Sequence, residues 1–242
     1  MTASQMANLA LLVLAVALGA IVLWPRRRRE HRPWGLLPGR HTPLHYLTGI
    51  GLAVLTVGTA YVALLVTGVT TTSGGHPSGA DIAAVVVYFV ILALVEELVF
   101  RGLLLNALWE LTGRATVAVV VTAALVAIPY LLVDGVTALS FTSAFLAGIM
   151  YGLAFLATGS VWTAAGMRTA WNITLGAVLG FTVSGQALTG SPIVEQQIDG
   201  PEWVTGGSYG PEAGVAVIAA RVGVIAILLV WLHDRSRGGL SS

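Results

Sequence analysis

Ala93-Leu-Val-Glu96-Glu97-Leu-Val-Phe-Arg101-Gly102 sets three formal charges inside a run that otherwise reads as a membrane helix. A charged side chain near the bilayer centre costs roughly 2.5–3.5 kcal/mol on insertion scales. Charges at this density are tolerable only where they face a protein interior and serve a purpose there. Glu97 and Arg101 stand four apart, so they share a helix face and can pair. Glu96 is turned about 100° away, which leaves one carboxylate less committed to that arginine.

The composition around this stretch is that of a membrane protein. The chain is 56% hydrophobic and 10% charged, with a mean hydropathy of +0.86; soluble domains carry about 25% charged residues. The net charge of +1 gives no reason to expect a nucleic-acid partner. The absence of cysteine excludes disulfides and thiolate chemistry. All twelve basic residues are arginine.

Residues 5–24, 44–70, 82–109, 116–133, 141–158, 160–182 and 213–232 are each long enough to cross about 30 Å of hydrocarbon. The expectation is an all-α, polytopic integral membrane bundle of about seven transmembrane helices, multi-pass in the cell membrane. The first span has no basic residue before it and Arg26 to Arg29 directly after it. A signal peptide has the reverse order, so this span reads as an uncleaved helix. Arg26, Arg27, Arg28, Arg29, Arg32, Arg40, Arg114, Arg235 and Arg237 fall on one side of the predicted membrane. Asp81, Asp134, Glu195, Asp199, Glu202 and Glu212 fall on the other, which has no arginine. The asymmetry places the N-terminus outside and the C-terminus in the cytoplasm. Three units follow. Residues 1–43 are a first helix and a basic cytoplasmic linker whose arginines meet anionic lipid. Residues 44–182 are the membrane core. Residues 183–242 are an external Gly-rich, acidic loop, read as a solvated connector with a lid as the alternative, and the last helix.

Few polar residues remain within the spans. They are Glu96, Glu97, Arg101 and Asn106 on the third, Arg168 and Asn172 on the sixth, and Arg221 on the seventh. Arg168 and Asn172 are again four apart, roughly 10 and 16 Å from the arginine-rich side. Glu96 and Glu97 fall at a comparable depth. Two polar faces at one depth predict a shared site, with Arg168 paired to Glu96 or Glu97 and the third to sixth spans around a cytoplasm-facing cavity. The alternative is an ion network that only fixes helix packing.

Glu96-Glu97-Leu-Val-Phe-Arg101 matches the E-E-x-x-x-R motif of the CPBP family, the CAAX-type intramembrane endopeptidases and their bacteriocin-processing relatives, which this chain resembles over about residues 80–182. Gly159-Ser-Val-Trp162 matches G-S-x-W, and Trp171-Asn172 matches the W-N that closes the third motif. Gly148-Ile-Met-Tyr-Gly152 is similar to the family's small-residue span. The resemblance implies peptide-bond hydrolysis near the cytoplasmic face, on a membrane or prenylated peptide. It also implies a site built on Glu96, Glu97, Arg101 and Asn172.

Both motif histidines are replaced. Tyr130 stands where F-x-x-x-H places the first, and Arg168 where H-x-x-x-N places the second. The family's metal reading needs zinc, which takes imidazole, thiolate or carboxylate lone pairs. A guanidinium has only donors and cannot ligate, so no metal site and no cofactor are expected here. In the metal-free reading Glu96 is general base and Asn172 with Arg168 stabilises an oxyanion, while a facing Arg⁺ lowers the basicity of that carboxylate. Three functions stay open: an endopeptidase with a degenerate site, a non-catalytic relative that binds a membrane peptide or partner protein, and an ion pathway lined by the charges. The motifs weigh against the last.

Overall fold

The computed structural model describes residues 37–132, 136–186 and 192–238, together with Val16, Gly19 and Gly35. The expected first span at 5–24, the run Arg26 to Arg29, Arg32 and Asp134 lie outside the described residues, the single positions Val16 and Gly19 apart. The helices are α1 (Thr42–Val66), α2 (Gly79–Thr112), α3 (Ala115–Ala127, drawn out by a 3₁₀ turn to Leu132), α4 (Ala138–Thr158), α5 (Val161–Asn172, continued by a π-helical stretch to Val178) and α6 (Val215–Gly238). Five of them, all but α5, are long and apolar enough to cross a membrane. The chain is a membrane protein built mainly of helices.

The sixth expected span is a helix, yet it does not meet the length and composition of a membrane span. Its sequence, Val-Trp-Thr-Ala-Ala-Gly-Met-Arg-Thr-Ala-Trp-Asn, is small and polar. The reason is its place. Val161 and every residue from Thr163 to Trp171 are buried, because α1, α2 and α4 pack around it. A helix sheathed by other helices has no lipid to face and needs no apolar circumference. It needs small residues that let neighbours approach. A Cβ on Gly166 would lie 2.2 Å from the carbonyl oxygen of Tyr46 in α1, and one on Gly49 would lie 2.1 Å from that of Thr163. These two glycines let the α1 and α5 backbones touch.

At one end the helical bundle also carries a short two-stranded ribbon. Thr70–Gly74 (β1) pairs antiparallel with Val194–Ile198 (β2), in a register that sets Thr70 opposite Ile198 and Gly74 opposite Val194. Part of the loop expected to be a solvated connector is therefore a strand tied to the end of α1. Gln196 Oε1 accepts from Thr70 Oγ1 at 2.9 Å, and Tyr61 Oη lies 2.7 Å from Thr72 Oγ1. The ribbon lies at the end of the molecule that also carries Asp81, where Ser78 caps the start of α2. At the other end Val161 N donates to Gly35 O at 3.1 Å, and Arg235 Nη1 donates to Ala157 O at 2.6 Å. Arg114 sits at that same end, between α2 and α3.

Candidate functional site

The α2 helix changes form at the charged motif. It is α-helical from Gly79 to Glu97 and π-helical from Leu98 to Leu105. A π stretch widens the turn and rotates the side chains beyond it, a recurrent feature of functional helices. The loosened carbonyls of Arg101 and Gly102 are both satisfied by Asn106 Nδ2, at 3.1 and 2.8 Å. This is the role of the polar residue near the end of the third span. The α5 helix repeats the change, turning π-helical directly after Asn172.

These two irregular helices bring four charges together in the core. Arg168 Nη1 lies 2.9 Å from Glu96 Oε2, and Arg168 Nε lies 2.5 Å from Glu97 Oε1. Arg101 approaches Glu97 from the other side. Its Nη1 donates to Oε1 at 3.2 Å, and its Nε lies 3.1 Å from Oε2, near enough for attraction but out of hydrogen-bond alignment. Arg101 Nη2 donates to Gly148 O at 2.9 Å. That carbonyl is reachable because a Cβ on Gly148 would come 2.7 Å from Ala123 Cα, so only glycine admits the contact between α3 and α4. The Tyr151 ring lies under both guanidiniums, 5.5 Å from Arg101 and 4.8 Å from Arg168. Glu97 and Arg101 are fully buried, and Glu96 and Arg168 nearly so. Two carboxylates and two guanidiniums leave the cluster neutral.

Arg168 separates this cluster from a small polar cavity of about 30 Å³. Tyr130, Tyr151, Arg168 and Asn172 line it, and so do Ser184, Tyr209, Glu212 and Arg221. Its walls are α3, α4, α5 and α6 together with the acidic loop, and α2 contributes nothing to them. The loop is held there by Arg221. A guanidinium buried in α6 needs a carboxylate, and Glu212 is drawn inward from the loop to supply it at 2.9 Å. The loop from Gly207 to Gly214 follows, with Tyr209, Pro211, Glu212 and Ala213 all buried.

Of the residues singled out from sequence, Glu96, Glu97, Arg101 and Arg168 meet in one ion cluster. Asn172 and Tyr130 stand on the cavity side, Tyr130 with its ring 6.5 Å from that of Tyr209. Glu212, Ser184 and Tyr209 were not foreseen. The one signal was Arg221, an intramembrane charge without an assigned partner.

Comparison of the chain with protein families finds one over this ground. The model described as Type II CAAX prenyl endopeptidase Rce1-like matches residues 78–174. Over that stretch the chain is similar to the type II CAAX prenyl endopeptidase family. The Rce1-like region takes in α2, α3, α4 and α5 with the whole ion cluster, and leaves α1, the ribbon, Glu212 and α6 outside. Comparisons with curated proteins and with solved structures give no match.

The zinc of the family's metal reading does not fit the residues of this Rce1-like region. Both oxygens of Glu97 are engaged by guanidiniums, Glu96 is paired with Arg168, and Arg168 itself stands where an imidazole would be needed. Among the described residues no three of His, Cys, Asp and Glu are grouped as metal ligands. His45 stands at the start of α1 beside His41, ring centroids 6.4 Å apart, and is not part of the cavity wall. A divalent cation placed here would meet a neutral, donor-rich site.

Proposed function

We propose that this chain is a CPBP-type protein of the cell membrane, multi-pass with its arginine-rich end in the cytoplasm, in which peptide-bond hydrolysis is weak or lost and the polar cavity serves to bind a membrane peptide or partner protein. One observation carries the reading: Arg168 holds Glu96 at 2.9 Å and Glu97 at 2.5 Å. Hydrolysis without a metal needs a carboxylate basic enough to take a proton from water. A carboxylate held by a guanidinium at hydrogen-bond distance is committed to that charge-assisted contact rather than turned to a water. Hydrolysis with a metal needs ligands, and the two positions that would supply imidazoles carry a phenol and a guanidinium.

The test is cleavage of a mixed peptide library, prenylated peptides included, by the purified protein, with bound metal measured on the same sample. The expected result is no zinc-dependent cleavage. Residual metal-independent hydrolysis, if measured, falls to background in Glu96→Gln and in Asn172→Ala. Robust cleavage by the wild-type chain that a chelator abolishes and zinc restores would overturn the proposal.

A further inference from the structure

The carboxylate of Glu212 is gripped by four donors drawn from separate parts of the chain. Trp171 Nε1 and Arg221 Nη2 donate to Oε1 at 2.8 and 2.9 Å, and Ser184 N and Oγ donate to Oε2 at 2.6 and 3.0 Å. A guanidinium, an indole N–H and a backbone N–H beside its own hydroxyl form a set that recognises a carboxylate at both oxygens. Arg221 and Trp171 also hold each other, and Ser143, which accepts from Arg221, donates from Oγ to the Glu212 carbonyl. Arg221 lies 4.1 Å over the Trp171 ring and donates from Nη1 to Ser143 O at 2.8 Å. Ser184 is the one non-glycine residue with positive φ, 50°, among the described residues, and from that strained conformation its N–H and Oγ meet the same oxygen. Trp171, Ser184 and Arg221 all line the polar cavity. The occupant is of another kind: Glu212 rides on a three-residue 3₁₀ turn, Pro211–Ala213, between glycines.

We infer that Trp171, Ser184 and Arg221 form a binding site for a free carboxylate, at a peptide carboxyl terminus or on a small acid, and that Glu212 fills this site in cis. A cavity of about 30 Å³ has room for water but not for a peptide. A ligand carboxylate therefore enters as the Pro211–Ala213 turn withdraws. Glu212 is the built-in competitor, and an incoming carboxylate must match its grip. Arg221 and Glu212 lie outside the Rce1-like match, and the inference holds whether or not the ion cluster hydrolyses anything.

The experiment uses the purified full chain and thermal unfolding. Glu212→Ala empties the site and leaves its donors. Sodium acetate, at the ionic strength of a sodium chloride control, raises the Tm of Glu212→Ala by about 3 °C or more once it reaches ten times its Kd. It leaves wild type and the double variant Glu212→Ala/Arg221→Ala unmoved. A mixture of short peptides with free carboxyl termini is run against the same peptides amidated. Stabilisation by the free acids assigns the site to peptide termini, and stabilisation by acetate alone assigns it to small carboxylates. If neither acetate nor the free-acid peptides raise the Tm of the variant above that of the controls, the inference fails. Glu212→Gln, which keeps the side chain's shape but removes its charge, takes the same test if the alanine variant does not fold. If neither variant folds, hydrogen exchange in residues 199–214 of the wild-type chain decides. It is faster with the free-acid mixture than with the amidated one, or with sodium acetate than with sodium chloride, and equal rates in both comparisons overturn the inference.

Discussion

Arg168 carries two carboxylates, and its removal strands both where water is nearly excluded. Breaking a buried pair by removing one partner costs roughly 3–5 kcal/mol. Arg168→Ala is expected to lower thermal stability by that order and to reduce expression, read by Tm in detergent; an unchanged Tm would deny the pairing its structural weight. Replacing the guanidinium by an imidazole tests the other half of the argument. Arg168→His supplies one ligand and removes the competing cation, while Tyr130→His supplies a second. With Glu96 the double variant offers three ligands, the number a catalytic zinc keeps. It is expected to bind zinc in stoichiometric amount, and either single change is expected not to. Metal analysis of the three purified variants checks this. Glu96, Glu97, Arg101 and Arg168 were all legible from the sequence as charges that meet in the interior, because a charge inside an apolar run announces itself. Which oxygen faces which nitrogen was not, since the π turn after Glu97 leaves no residue-type signature.

Helix-level behaviour rests on close approaches and on repair of irregular backbone. Gly148 sits where α3 and α4 touch and where Arg101 finds a carbonyl. Gly148→Ala places a methyl 2.7 Å from Ala123 Cα. The helices must separate, and overpacking of this kind costs about 1–3 kcal/mol. The Arg101 contact is lost along with the packing, so the Tm of Gly148→Ala is expected to fall further than that of Gly51→Ala, a position with open space around it. Asn106→Leu keeps bulk but leaves the carbonyls of Arg101 and Gly102 without their side-chain donor. A buried polar group left unsatisfied costs about 1–3 kcal/mol, and hydrogen exchange confined to Leu98–Thr112 is expected to accelerate. The motif Gly148-Ile-Met-Tyr-Gly152 could be read as a small-residue seam from the sequence. That the seam faces α3 could not, because spacing gives the face of one helix and not the identity of its neighbour.

The whole chain has two unlike ends, one carrying Arg114 and Arg235 and the other the β1–β2 ribbon with Asp81 and Glu195. The absence of native cysteine makes single-cysteine labelling clean. Arg114→Cys and Gln197→Cys, in otherwise unchanged protein in sealed vesicles, are expected to react with a membrane-impermeant maleimide from opposite sides, the first from the cytoplasmic side. Labelling of both from one side would refute the proposed topology. The sequence by itself determined the membrane class, the helical character, the position of most helices and the charged residues that had to be buried together. These follow from local quantities: hydropathy over about twenty residues and the cost of a charge in lipid. Only the tertiary structure decided that α5 is sheathed rather than lipid-facing, that Thr70–Gly74 pairs with Val194–Ile198, and that Glu212 enters the cavity to meet Arg221. Each of these joins segments far apart in the chain or turns on what surrounds a helix. Their energies depend on burial and partner geometry, which a one-dimensional pattern does not encode.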